Sequence, residues 1–160
     1  MTTTTTTDTA PRYVRPNGFT RHIFNPVIAG LTRIGISVWG SRVLEVRGRT
    51  SGEWRRTPVN LLVVDGERYL VSPRGETQWV RNVRAADSFR LRVGRRVETV
   101  SAVEVADGDK VAVLRPYLRR WKWEVGQFFD GLDADATDDA MRAAGPKHPI
   151  FRLVAVTPAS

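Results

Sequence analysis

The feature that most constrains this chain is a period-two alternation of apolar and polar residues that begins near residue 42. The first segment places Val43, Glu45 and Arg47 on one face and its remaining apolar residues on the other. Successive side chains of a strand point to opposite faces, so the pattern predicts strands. Two further apolar runs meet at Asp65-Gly66, a pair that is the strongest short-range signal for a hairpin.

The rest of the pattern predicts one more hairpin and several helices. Residues 88–108 form a strand pair that turns near Gly94-Arg95, and Pro116 is expected to break or kink the helix that contains it. Helices are predicted at residues 26–36, 76–87, 109–123 and 133–145, with a last strand at 149–158. This mixture predicts an α+β fold in which a small, mostly antiparallel barrel carries flanking helices.

The 160 residues divide into a tail and one domain. Residues 1–18 are threonine-rich and of low complexity, which predicts a disordered tail without the apolar region of a signal peptide. Residues 19–160 are expected to form a single domain, because no linker or internal repeat divides them. The longest apolar segment contains Arg33, so it is a poor membrane span, and a cytoplasmic location is expected.

Composition narrows the chemistry further. The chain has no cysteine and only two histidines, which excludes disulfides, zinc ribbons and cysteine nucleophiles and predicts no metal site. Its formal net charge is +8, and nearly all of the positive charge comes from arginine. Arginine pairs with phosphate and carboxylate groups in a bidentate way, so an anionic partner is favoured.

The basic segment GRTSGEWRRTPV, residues 48–59, follows the first predicted strand. Its two glycines free backbone amides for an anion, and its arginines add charge and fork geometry. A P-loop requires Lys-Ser/Thr and a following helix, whereas a strand follows here. The segment therefore predicts an anion site that is held between two strands.

Four motifs in order resemble the deazaflavin-dependent nitroreductase family, which uses coenzyme F420 and folds as a split β-barrel. The resemblance covers about residues 19 to 105. The motifs are Gly48-Arg49-Thr50-Ser51-Gly52, Arg55-Arg56-Thr57-Pro58-Val59, Ser72-Pro73-Arg74-Gly75 and Trp79-Val80-Arg81-Asn82-Val83. The resemblance implies a split barrel of about six strands with an N-terminal helix, and the segment FNPVIAGLTRIGI, residues 24–36, resembles that helix.

The resemblance also implies a cofactor with a deazaflavin ring, a phosphodiester and an acidic glutamyl tail. Transferred by position, the tail and phosphate ligands are Arg49, Thr50, Ser51, Arg55 and Arg56. Thr57, Pro58 and Val59 would run beside the ring, and Ser72, Arg74, Gly75, Trp79 and Asn82 would complete the pocket. The ring carries the redox chemistry, so no catalytic side chain is predicted.

The implied activity is hydride transfer from reduced F420 to a small hydrophobic acceptor such as a quinone, an enone or a nitroaromatic. Family members that reduce such compounds place several tyrosines over the cofactor, whereas this chain has only Tyr117 in that region. Tyr117 and Trp121 are the candidates for the acceptor pocket, and core packing is the alternative role of these aromatics.

Other functions stay open at this stage. The chain could be an FMN-dependent reductase or a non-catalytic barrel that binds a cofactor or lipid. Nucleic-acid binding is not expected, since acidic residues interrupt the basic segments and no aromatic stacking platform is evident. A homodimer and a peripheral membrane contact through the N-terminal helix are left open.

Overall fold

The structure, a computed structural model, describes residues 41–156, which form six strands, three α-helices and three short 3-10 segments. The predicted tail and the N-terminal helix at 26–36 lie outside the described residues. The strands are β1 (Ser41–Arg47), β2 (Trp54–Val64), β3 (Glu67–Val71), β4 (Phe89–Val93), β5 (Arg96–Glu104) and β6 (Ile150–Ala155). The helices are α1 (Gln78–Ala85), α2 (Val111–Val125) and α3 (Asp138–Ala144).

The strands close into a barrel in the order β1-β2-β3-β6-β5-β4, and every pairing is antiparallel. This arrangement confirms the predicted α+β fold with a small antiparallel barrel. The predicted hairpin turns are also confirmed, since Asp65 and Gly66 have φ of 50° and 79° and Gly94 has φ of 57°. Positive φ at both central residues is the geometry that Asp-Gly hairpins adopt.

Two apolar clusters lie on opposite sides of the barrel wall. The first fills the barrel and includes Leu44, Phe89 and Phe151, and α1 adds Trp79, Val80 and Val83. The Trp79 ring lies 5.9 Å from the Phe151 ring, between their centroids. The second cluster lies between the outer face of the barrel and α2 and α3, and its members include Leu62, Tyr117, Trp121, Phe129 and Met141.

Three predicted element boundaries are wrong for local reasons. The predicted break at Pro116 is wrong, since Pro116 lies inside the continuous helix α2, where the carbonyl that its missing N–H leaves free belongs to exposed Ala112. Helix α3 begins at Asp138 instead of residue 133, because the Thr137 side chain caps it by accepting from the Ala140 N–H. Strand β2 begins at Trp54, whereas the sequence pattern predicts its start at Thr57.

Candidate functional site

The β1–β2 loop, residues 48–53, closes on itself around its two glycines. The Gly48 N–H donates to the Glu53 carbonyl and the Gly52 N–H donates to the Gly48 carbonyl, both at 2.8 Å. Gly52 has φ of 72°, a region that favours glycine. A Cβ at Gly48 would lie 2.6 Å from Ser51 Oγ. Glycine therefore suits both positions, since an added Cβ would displace the Ser51 hydroxyl at Gly48 and would strain the backbone at Gly52.

Arg49 attaches the loop to helix α1. Its backbone N–H donates to Asn82 Oδ1 at 3.1 Å, and its Nη1 donates to the same oxygen at 3.0 Å and to Gln78 Oε1 at 2.9 Å. Asn82 is buried at 5% exposure. The structure thus brings the predicted residues Arg49 and Asn82 together, and it adds Gln78, which the sequence motifs did not single out.

The loop keeps several donors for a ligand. Within residues 41–156, the backbone N–H groups of Thr50 and Ser51 have no acceptor, and Ser51 Oγ accepts from the Glu53 N–H at 3.2 Å. The Arg55 side chain is 59% exposed, and its Nη2 lies 3.6 Å from the exposed carboxylate of Glu53. Two amides, the Thr50 hydroxyl and one guanidinium group are available to an anion here.

The segment after the loop divides between the two faces of the barrel wall. Arg56 and Pro58 pair with Glu45 and Val43 on the outer face, whereas Thr57 pairs with the core residue Leu44. Val59 belongs to the barrel core and is 8% exposed. Strand alternation therefore prevents the side chains of Thr57, Pro58 and Val59 from lining one pocket together.

The bend before α1 is tightly closed. Ser72 Oγ donates to the Gly75 carbonyl at 2.7 Å, and Gly75 has φ of 85°. The Arg74 guanidinium carbon lies 5.1 Å from the centre of the Phe128 ring, which is a cation–π contact with the second core cluster. Trp79 points instead into the barrel core. The bend is thus connected to the aromatic layer, while Trp79 serves the barrel interior.

Tyr117 and Trp121 lie within the second core cluster, at 1% and 0% exposure. The Tyr117 ring centroid lies 5.2 Å from that of Trp121 and 6.2 Å from that of Phe129. Burial raises the pKa of the Tyr117 hydroxyl, which is hydrogen-bonded to the Asn60 side chain. Both residues are packed as core aromatics in this structure, and their role toward an acceptor stays a prediction.

A cavity of about 470 Å³ lies beside this layer. Its wall includes Phe129, Leu132, Lys147 and His148 together with four alanines. Burial lowers the pKa of His148 to about 4, so its ring is neutral at pH 7. The ring lies against the backbone of Ser72 and Pro73, which acts against this lowering of the pKa, and it stacks on Phe129 at 4.1 Å between ring centroids. Sequence reasoning noted this histidine, but no motif marked it.

Residues 29–128 match the F420H(2)-dependent quinone reductase family. That match spans the loop, the bend, α1 and α2, which is more than half of the chain. The chain belongs to this family. Membership confirms the predicted F420-dependent oxidoreductase and the predicted cofactor. No curated protein matches the chain.

Three solved structures share the fold of this family member. A domain-swapped dimer superposes with a TM-score of 0.53 at 14% identity, over 88% of this chain and 100% of that chain. An F420-H2-dependent reductase gives 0.51 at 15% identity, over 72% and 94%. A protein of unknown function from Agrobacterium tumefaciens gives 0.51 at 14% identity, over 93% of this chain and 64% of that chain. At these identities the likeness concerns the fold alone.

The loop of this F420-dependent reductase fits the anionic end of the cofactor. Free amides at Thr50 and Ser51 suit a phosphate, and the exposed Arg55 suits a second negative group. Within residues 41–156, no helix is long and apolar enough to cross a membrane.

Proposed function

We propose that this protein transfers a hydride from reduced F420 to a planar, apolar acceptor of the quinone type. In this proposal the β1–β2 loop holds the phosphodiester and the start of the glutamyl tail, and the bend at residues 72–75 lies at the ring end. The carrying observation is that Arg49 attaches the loop to α1 while the Thr50 and Ser51 amides keep no acceptor within the described part of the chain.

The residues of the chain act by binding and orienting. The bonds from Arg49 to Asn82 and Gln78 fix the loop before a ligand arrives, so little ordering is needed on binding. The Thr50 and Ser51 amides and Arg55 then hold the negative charge. When bound, reduced F420 supplies the hydride. The protein contributes position and electrostatics, and no nucleophilic side chain is required.

The acceptor end is proposed to be apolar and aromatic. The bend reaches the aromatic layer through the contact of Arg74 with Phe128. An aromatic and aliphatic surface suits a flat ring such as that of a quinone, and enones and nitroaromatics share this shape. Quinones are placed first because the family to which the chain belongs is described by quinone reduction.

The test is a pair of measurements on the purified chain. Binding of F420, FMN and a fatty acid is followed by fluorescence and by melting temperature, and oxidation of reduced F420 is followed with a naphthoquinone, an enone and a nitroaromatic. We expect F420 to bind and the naphthoquinone to give the fastest oxidation. Binding of FMN or fatty acid in place of F420 would contradict the proposal, and so would F420 binding without turnover of any acceptor.

We also propose that the protein forms a homodimer. The support is that a structure of the same fold is a domain-swapped dimer. Light scattering coupled to size-exclusion chromatography should give twice the mass of the 18.0 kDa chain, whereas a monomer at micromolar concentration would count against the pairing. The cytoplasmic location, with or without a membrane contact by residues 26–36, stays a prediction.

A further inference from the structure

A buried carboxylate lies on the outer face of the barrel, beneath three arginines. Glu45, in the middle of β1, is 0% exposed. Its Oε1 lies 3.0 Å from Arg56 Nε on β2 and 2.9 Å from Arg92 Nε on β4, and its Oε2 lies 3.2 Å from Arg90 Nη2. The register places Glu45 opposite Arg56 on one side and Arg90 on the other. One carboxylate therefore organises three guanidinium groups from two strands.

The arginines keep binding capacity after these contacts. Arg56 and Arg92 approach Glu45 through Nε, and within residues 41–156 nothing accepts from their terminal Nη groups. Their side chains are 55% and 27% exposed, and that of Arg90 is 32% exposed. Since a single glutamate faces three arginines, the group has an excess of positive charge and free guanidinium forks at the surface.

Trp54 extends the group toward the β1–β2 loop. The guanidinium carbon of Arg90 lies 3.7 Å from the centre of its ring, and that of Arg47 lies 4.5 Å away. Arg47 also donates from Nη1 to the Gly52 carbonyl at 2.8 Å. The arginine cluster is defined here as Glu45 and Trp54 with Arg47, Arg56, Arg90 and Arg92. It is continuous with the loop that is proposed to hold the phosphate.

Stability alone does not account for Glu45. Burial raises the pKa of its carboxyl, and the bond to Arg92 and the charges of Arg56 and Arg90 outweigh that effect and lower it. Removing a carboxylate from water is costly, and buried ion pairs are often no more stabilising than apolar residues of the same volume. A carboxylate at this position does, however, set the spacing and direction of the guanidinium groups around it.

We propose that the arginine cluster binds a chain of carboxylates, the glutamyl tail of F420, and that Glu45 is the positioning residue that spaces its guanidinium groups. This inference rests on the proposed function for the identity of the tail. Gly48 directly follows the last residue of β1 and lies three residues after Glu45, which is about 10 Å of extended chain. A tail that leaves the loop along β1 therefore reaches the cluster within a few residues.

The deciding comparison uses two substitutions that each remove one negative charge. Glu45→Gln changes the buried centre of the cluster, and Glu53→Gln changes a loop carboxylate that is 73% exposed. Affinity is measured by fluorescence for F420 with about five glutamates and for a trimmed form that keeps the phosphodiester but has no glutamates. If the cluster acted only through net charge, both variants would bind the long tail more tightly than the wild type.

We expect a different result at Glu45. Without its carboxylate the guanidinium groups repel one another and lose their alignment, so Glu45→Gln weakens binding of the long-tailed form by about tenfold and leaves the trimmed form within about twofold. Glu53→Gln leaves the ratio of the two affinities unchanged. Tighter binding of the long tail by Glu45→Gln would overturn the positioning role.

A second variant keeps the inference testable if Glu45→Gln does not fold. Arg92→Gln keeps the carboxylate and removes one of its three partners, and we expect about a fivefold loss for the long-tailed form alone. Arg68→Gln is the control, because Arg68 pairs with Glu98 away from the cluster. Equal affinity of the wild type for the long and trimmed forms would overturn the inference.

The cofactor-free probe separates this inference from the proposed function. A γ-linked peptide of about five glutamates is titrated into the wild type and Arg92→Gln. If the peptide binds to the wild type and Arg92→Gln weakens this binding, the arginine cluster is supported even when F420 does not bind. In that case only the proposed function is contradicted. If F420 binds and is turned over but the peptide does not bind, the proposed function is supported and the role of the arginine cluster is contradicted. Tighter binding of a single-stranded oligonucleotide of equal charge would also overturn it.

Discussion

The β1–β2 loop and the aromatic layer under α2 solve opposite physical problems. In the loop and the adjoining strand, Arg55 and Arg56 are 59% and 55% exposed, and backbone bonds and one buried amide hold the chain in position. In the aromatic layer, Tyr117, Trp121 and His148 are at most 4% exposed. The chain therefore separates its hydrated cationic surface from its dry aromatic surface.

The difference matches what a cofactor with an anionic tail and a flat ring requires. Cationic groups bind a flexible tail best when they stay near water and avoid the cost of burial. A flat apolar ring gains from a surface without water. The bend at residues 72–75 lies between the two regions, because the Ser72 backbone lies against the His148 ring and Arg74 lies over Phe128.

The largest expected effect tests whether the aromatic layer is core. Trp121→Ala removes a side chain with 0% exposure and should lower the free energy of unfolding by about 4 kcal/mol, measured by denaturant titration. Trp121→Phe should cost far less and should leave the KM for a quinone unchanged. A raised KM in Trp121→Phe with unaltered stability would instead place Trp121 at the acceptor.

The next effect concerns His148 and pH. Burial, and then the charges of Lys110 and Lys147, lower its pKa to about 4 in the folded state, while an unfolded histidine titrates near 6.5. Below about pH 6.5 the unfolded chain takes up a proton that the folded chain does not bind. The free energy of unfolding should therefore fall by about 3 kcal/mol as the pH decreases from 6.5 to 4.

His148→Gln separates this contribution from those of the carboxyl groups. The difference in unfolding free energy between the wild type and this variant should change with pH only within that window. His22→Asn is the matched control for the second histidine of the chain. A pH-independent difference between the wild type and His148→Gln would show that the folded-state pKa is not lowered.

Local sequence patterns were sufficient for most of the fold. Asp65-Gly66 and Gly94 turn where the residue types require it, because positive φ is favourable there. Thr137 moved the start of α3 to Asp138, since a side-chain cap competes with the acidic pattern upstream. Pro116 does not break α2, and the carbonyl that it leaves free belongs to exposed Ala112, which the local pattern did not reveal.

The candidate site was harder to predict because its contacts are distant in sequence. Arg49 and Asn82 are 33 positions apart, and only the resemblance placed both in one site. Glu45 follows the ordinary alternation of a strand, and nothing in its neighbours shows that Arg90 and Arg92 cover it. Burial lowers the pKa of His148, and the ring lies against the backbone of Ser72 and Pro73, which no local pattern connects to it.

Reversing charge in the β1–β2 loop tests whether this cationic region binds the anionic end of the cofactor. The double variant Arg49→Glu, Arg55→Glu should weaken binding of long-tailed F420 by about 100-fold, because Arg55 changes from attraction to repulsion and the loop loses the Arg49 bonds to Asn82 and Gln78. The deazaflavin ring with its ribityl chain alone, which has neither the phosphodiester nor the glutamyl tail, should lose much less affinity. Arg119→Glu with Arg142→Glu, at exposed helical positions, gives the same net charge as a control. Equal losses for both ligands would make the loop purely structural, and so would binding that is insensitive to salt.

The smallest expected effect tests whether the loop must be preformed. Gly52 has φ of 72° with no atom within 4 Å of a Cβ placed there, so Gly52→Ala meets backbone strain and no steric clash. We expect a loss of about 1 kcal/mol in unfolding free energy. Gly108→Ala is the control, since its Cβ also meets nothing within 4 Å and its φ is not positive. If the Gly48–Gly52 bond preorganises the loop, Gly52→Ala also weakens F420 binding, whereas unchanged affinity would mean that the ligand orders the loop on arrival.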